Sequence, residues 1–263
     1  MAALALASSL GAEPLHEAVE AGDARRVAKI LSRDAEAVNR AGKTPQNQLG
    51  DLPLRIAVSN GDAPMASLLL AKGAKVDGTL PTSSVTPLML AVVRGDDKIA
   101  RLLIRNGADV NASNGAMLNE QGPLHMAALR HDDGMAKTLL EADAKVESRA
   151  GVQFHRATPM LMALDHGDDA AVEEAADKLV KRLILHGGSV NEADSRGRTP
   201  LMAAARRGWT KVVRTLLEAG ADATAADFDG RTAIHHAVGG EHWATVEAIE
   251  SHGEPAAAGA PAK

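Results

Sequence analysis

An internal repeat constrains this chain more than any other feature. Thr-Pro-Leu opens an alanine-rich stretch, and an apolar stretch follows that ends in Gly-Ala-Asp-Val-Asn. The clearest copies run from Thr86-Pro87-Leu88 to Gly107-Ala108-Asp109-Val110-Asn111, and from Thr199-Pro200-Leu201 to Gly220-Ala221-Asp222. Less regular copies start at Pro14, Pro53, Pro123 and Pro159, and Ala233 takes the proline place in a seventh. Successive spacings are 39, 34, 36, 36, 41 and 33 residues. A unit of this size cannot bury its apolar face alone, so neighbouring units must stack. The 263 residues would otherwise suggest about two globular domains; here length counts layers, each touching mainly its neighbours.

Each unit reads as two short helices. Proline suits the first turn, where its missing N–H costs nothing, and Thr86, Thr158 and Thr199 stand before it as caps. The helix Leu88–Arg94 stops at Gly95. Asp23, Asp62, Asp96, Asp132 and Asp168 open the second helix in five units, where a carboxylate accepts from free N–H groups and complements the positive helix end. Ile99, Leu102 and Leu103, like Val212, Val213, Leu216 and Leu217, recur at helical spacing. Gly73, Gly107, Gly187 and Gly220 close second helices, as a residue that takes the left-handed conformation does.

The pattern resembles an ankyrin-repeat protein over roughly Glu13 to Gly253, with seven units in register starting near 13, 52, 86, 122, 158, 199 and 232. The resemblance implies an all-α solenoid, helix-turn-helix units joined by β-turn fingers, and a non-enzymatic role in binding a protein partner. The first and last units are degenerate, as expected for caps that face water on one side. In such units the histidine after Pro-Leu, here His16 and His125 with His235 after Ala-Ile, usually bonds backbone groups that tie adjacent fingers.

Composition fits this reading. The four aromatic side chains are two Phe and two Trp, with no Tyr; thin helix layers pack through Ala and Leu instead. Without cysteine, disulfide scaffolds, zinc ribbons and cysteine nucleophiles are excluded. The net charge of −5 gives no support to general nucleic-acid or membrane-surface binding, and no stretch approaches 18 apolar residues. A monomer is expected.

Length variation is uneven. From the proline to the Val of Val-Asn is 23 residues in four units but 31 from Pro159 to Val190. The eight extra residues fall within Asp168–Lys181 and are expected to lengthen the second helix, or its entry, by about two turns. The fingers run 15, 11, 13, 13, 10 and 10 residues from Val to Pro; diversified fingers on a fixed scaffold point to function in loops, although surface loops also drift cheaply.

No catalytic or cofactor motif survives inspection. Gly42-Lys43-Thr44 lacks the phosphate loop's first glycine, since position 37 is Ala37. His16-Glu17 lacks a zincin's second histidine. Asp227-Phe228-Asp229-Gly230 lacks the later ligands of a calcium loop and aligns with the finger turn. His235, His236 and His242 allow at most a weak surface metal site. An enzyme or metal protein using the histidines is the rival reading; within the binding class, a masking (immunity-type) protein and a secreted effector both fit. Ile56, Leu90, Met126 and Met162 recur at one first-helix position and are read as core.

The expected partner-binding residues lie on the groove and the fingers. The two residues before the inter-helix turn include Val93, Arg94, Leu129, Arg130, Arg206 and Arg207. Fingers add Arg149, Arg156, Arg196, Arg198 and Arg231, partly offset by Glu147, Glu192, Asp194, Asp227 and Asp229. Because guanidinium groups read carboxylates bidentately, an acidic partner segment is expected. Phe154 and Phe228 fall in fingers, and Met117 and Leu118 at the tip of another, as apolar anchors beside charge. Trp209 takes the aspartate's turn position and is expected partly exposed, whereas Trp243 is expected to pack in the terminal helix. Residues 1–12 resemble the latter half of an export signal without its basic start, which leaves the compartment open between exported and cytoplasmic, and 254–263 read as a disordered tail.

Overall fold

A computed structural model of the chain describes residues 14–43, 50–81, 83–115, 119–165 and 170–253. They form fourteen α-helices, seven pairs, with no strand among the described residues beyond two isolated bridges. The chain divides into two compact units, residues 1–118 and 119–263.

The first unit holds α1 (Pro14–Glu20), α2 (Ala24–Leu31), α3 (Pro53–Ser59), α4 (Ala63–Ala71), α5 (Pro87–Arg94) and α6 (Asp97–Arg105). First helices α1, α3 and α5 pack side by side, and α4 packs on α6 behind them. The second unit repeats this arrangement with α7 (Pro123–Leu129), α8 (Asp133–Leu140), α9 (Pro159–Ala163), α10 (Ala170–Leu185), α11 (Pro200–Arg206), α12 (Thr210–Glu218), α13 (Ala233–Gly239) and α14 (Trp243–Gly253). Here α7, α9, α11 and α13 form one layer and α8, α10, α12 and α14 the other.

Alanine sets the spacing between layers. Ala18, Ala57, Ala91, Ala127, Ala163, Ala204 and Ala237 all stand four residues after the first helical position and are fully buried. A larger side chain there would push the helices apart in a core packed at crystal-like density. Leu69, Leu103, Leu139, Leu183 and Leu216 fill the matching place in the second helices. Of the first-helix column, Ile56, Met126 and Met162 are buried and Leu90 is half-buried.

Helix ends form as the sequence requires. Thr86, Thr158 and Thr199 accept from Met89, Leu161 and Met202 N–H. Asp23, Asp62, Asp96 and Asp132 accept from the N–H three residues on, at 2.9–3.0 Å; Asp168 lies outside the described residues. The insertion does lengthen the fifth second helix: α10 has 16 residues against nine in α12. That length has a structural use. Trp209 caps α12 without a side-chain bond, and Glu173 of α10 accepts from Lys211 N–H at 2.7 Å in its place. Asp177 of α10 is buried and accepts from the Thr215 hydroxyl at 2.5 Å and from Lys181 at 2.7 Å.

One column of side chains ties successive repeats. Asn39 donates to Gly73 O and accepts from Lys75 N; Asn191 does the same with Gly220 O and Asp222 N. Asp77 accepts from Asp109 N, and Glu147 from Ser189 N. His16 and His125 reach Arg40 O and Ser148 O of the following finger, as the resemblance implies. Arg55, at the same position in the second repeat, reaches Val85 O while paired with Asp51.

Candidate functional site

The fingers that lead into repeats six and seven (fingers six and seven, each numbered by the repeat it precedes) share a sequence, Asp-x-x-Gly-Arg-Thr, at Asp194–Thr199 and Asp227–Thr232. In each, the buried aspartate organises the turn. Asp194 accepts from Arg196 and Arg198 N–H at 2.8 and 3.0 Å, and Asp227 from Asp229 and Arg231 N–H at 3.0 and 2.9 Å. Asp227 also bonds His236 Nε2 at 2.8 Å. Burial alone would raise its pKa, but these N–H groups, His236 and the Arg231 guanidinium hold the carboxyl below the usual range. Phe228 N donates to Arg196 O at 3.0 Å, docking one finger on the other.

Between these fingers, Arg206 at the end of α11 and His236 on α13 lies a cleft of about 410 Å³. Arg196, Arg198, Arg206 and Arg231 line it, with Ser195, Phe228 and Asp229. Four of the sequence-predicted partner residues, Arg198, Arg206, Phe228 and Arg231, therefore meet in one place. Phe228 is 80% exposed although its ring edge rests over Gly197. Arg206 pairs with Asp165 at 2.8 Å, Arg198 with Asp194 at 2.8 Å, and Arg231 with Asp227 at 3.4 Å and also with Asp229. Arg196 bonds His155 Nε2. Phe154 is half-buried in a single 3₁₀ turn (Val152–Phe154) and lines a small adjoining hollow with Asp194 and Arg198.

Other predicted residues go elsewhere. Arg207, the immediate neighbour of Arg206, donates to the carbonyls of Leu164 and Asp165 and lies 5.6 Å over the Trp209 ring. Arg94, in the first unit, donates to Ser59 O. His131 and His242 do likewise with Ala163 O and Arg206 O, at 2.7 and 3.1 Å. These side chains satisfy the free carbonyls at first-helix C-termini, a use that the sequence reading missed. Leu129 is half-buried, while Arg130 and Arg156 are exposed with no ion pair among the described residues. Met117 and Leu118 lie outside the described residues, as do 1–13 and 254–263.

Both tryptophan expectations need correction. Trp209 is buried, 3% exposed, because His131 meets its ring edge-on at 6.2 Å and Arg207 covers its face. Trp243, in the first turn of α14, is 64% exposed, because α14 packs on α12 and α13 and the indole stands outside that packing. The three histidines considered as a metal trio are spent separately: His235 accepts from Thr232 N, His236 bonds Asp227 and His242 bonds Arg206 O. Among the described residues no group of three or more His, Asp or Glu could hold a metal ion, and no helix is long and apolar enough to cross a membrane.

Comparison with known proteins agrees with the helix pairs. The family model for ankyrin repeats (three copies) matches residues 15–114 and 169–255. An ankyrin repeat-containing protein of Treponema pallidum (strain Nichols) is 37% identical over 84 residues, 32% of this chain and 28% of that protein. Rabankyrin-5 of Homo sapiens is 40% identical over 65 residues, 25% of this chain and 6% of that protein. The matched segments thus span less than a third of either relative. Among solved structures, the ankyrin repeat domain of Bcl-3 superimposes with a TM-score of 0.75 at 23% identity, covering 90% of this chain and 98% of that one; the likeness is one of fold. With the family model spanning more than half of its residues, the chain belongs to the ankyrin-repeat family.

Proposed function

We propose that the chain binds a protein partner by holding an acidic segment in the cleft of repeats five to seven. Ankyrin repeats generally bind protein partners and are typically non-enzymatic modules, so the class of activity follows from the family. The finer reading rests on the arrangement of charge in the cleft. Four arginines face four aspartates, but Asp194 and Asp227 are 1–2% exposed and turned onto backbone N–H groups, whereas Arg206 and Arg231 are about half exposed. Two of the four negative charges are thus sunk beneath the wall, while Arg206 and Arg231 stand at its surface with only the exposed Asp165 and Asp229 beside them. A guanidinium has five N–H donors, so each paired arginine keeps donors for an incoming carboxylate. Phe228 supplies the apolar anchor that interfaces place beside arginine. Arg198 and Phe154 extend the site toward finger five, with Arg130 and Arg156 as outlying cations of the same unit.

Arg206→Gln with Arg231→Gln tests this. The double variant is expected to lose about tenfold or more in affinity for an acidic peptide or captured partner, as loss of close charge pairs across an interface does. Its melting temperature stays unchanged. Unchanged capture by the folded variant refutes the cleft as the site.

A further inference from the structure

The four aspartates around the cleft are held in two different ways. Asp194 and Asp227 are fixed, each by two backbone N–H groups and by burial. Among the described residues, Asp165 and Asp229 are held by one arginine each and by no backbone donor to their carboxylates: Asp165 by Arg206, with side chains 39% and 45% exposed, and Asp229 by Arg231, at 72% and 52%. The two loosely held carboxylates therefore sit on guanidinium groups that are about half exposed, one on Arg206 at the end of α11 and one on Arg231. Phe228 stands in the same lining.

We infer that Asp165 and Asp229 are internal stand-ins for the partner's carboxylates. The ligand is a segment with two carboxylates flanking an apolar side chain, and it binds by displacing both aspartates from Arg206 and Arg231. This rests on the reading of the cleft given above. Exposed ion pairs are weak and exchange readily with solvent and competitors, so the stand-ins can yield. While in place they keep both guanidinium groups oriented and reject anions that offer one charge, because a single carboxylate replaces only one of two existing pairs. They set a threshold that favours doubly charged ligands.

The test uses the full chain and a fluorescein-labelled, end-blocked peptide of alternating Glu and Leu, with the Gln-for-Glu peptide as its neutral counterpart. Asp165→Asn with Asp229→Asn keeps an acceptor oxygen at each place and removes the charge. This variant is expected to bind the Glu-Leu peptide about tenfold more tightly than wild type, from two weak pairs no longer competing. Its affinity for the neutral peptide stays the same. Glu218→Gln with Glu250→Gln removes the same total charge at exposed positions outside the cleft and is expected to change affinity less than twofold. Wild-type binding with no gain in the Asn variant, or an equal gain in the Gln control, overturns the stand-in role and leaves the cleft reading intact. No binding of the acidic peptide by any of the three proteins overturns the cleft reading itself. Binding by the Asn variant alone supports the threshold in its strongest form.

Discussion

Asp177 of the long α10 helix offers the sharpest test of how the insertion is integrated. Its carboxylate is 2% exposed and accepts from Thr215 Oγ1 at 2.5 Å and Lys181 Nζ at 2.7 Å, with Lys211 Nζ at 3.5 Å. Burial by itself raises its pKa, but the Lys181 and Thr215 bonds and the nearby ammonium groups outweigh this and hold it below the usual carboxylate range. A hydrogen bond to a charged group contributes about 1.5–3 kcal/mol. The lysines are half exposed, so each pair adds only about 0.3–0.5 kcal/mol. Asp177→Ala is therefore expected to cost about 2–4 kcal/mol. Asp177→Asn keeps a neutral bond to Thr215 and should cost about half of that. Urea unfolding at 25 °C, followed through the fluorescence of buried Trp209, reads the repeats concerned. The carboxylate's contribution is complete above its unfolded pKa near 3.9 and is lost as pH falls through the lower folded value, so the difference from wild type shrinks toward pH 2. A loss under about 0.5 kcal/mol at pH 7, or an equal loss at pH 7 and pH 2, would refute the account.

Two further predictions concern the fold and the cleft. His125 is buried, and desolvation lowers its pKa to about 4 despite its bonds to Ser148 O and Ala157 O; the folded state thus resists protonation, and stability should fall as pH drops from about 6.5 to 4. His125→Gln is expected to flatten that slope in melts across this range, and an unaltered slope would assign it to another group. Gly197 has φ +76°, and a Cβ there would lie 2.8 Å from the Phe228 ring and 3.1 Å from its backbone nitrogen. Gly197→Ala should displace Phe228 and weaken acidic-peptide binding severalfold, at a stability cost of about 1–2 kcal/mol from the left-handed backbone; full affinity would show that Phe228 is not an anchor.

Much of the fold could be read directly because its determinants are local. A threonine or aspartate cap acts three residues away, and a closing glycine acts within its own turn, so Thr86, Asp96 and Gly107 declared their roles in the sequence. The α10 extension showed as eight surplus residues. The site was less legible, since its partners come from different repeats. Arg206 and Arg207 are adjacent and chemically identical, yet one lines the cleft and the other holds carbonyls 42 and 43 residues away. Register alone cannot separate them; the direction of each side chain around the helix end decides. Trp209 sits where earlier repeats carry an exposed or half-buried aspartate, and its burial depends on His131 and Arg207. Trp243 fails the opposite way: it lies on a helix that packs on α12 and α13, and the sequence did not reveal that its side chain stands outside those contacts.

The cap that Glu173 lends to α12 has an evolutionary and an engineering consequence. Where every second helix carries its own aspartate, repeats can be shuffled, duplicated or deleted singly. Repeat six takes the capping carboxylate of its second helix from repeat five, and Asp177 binds the two again a turn further along. They form a single transferable cassette. A recombinant array that inherits one without the other should inherit a frayed helix with it.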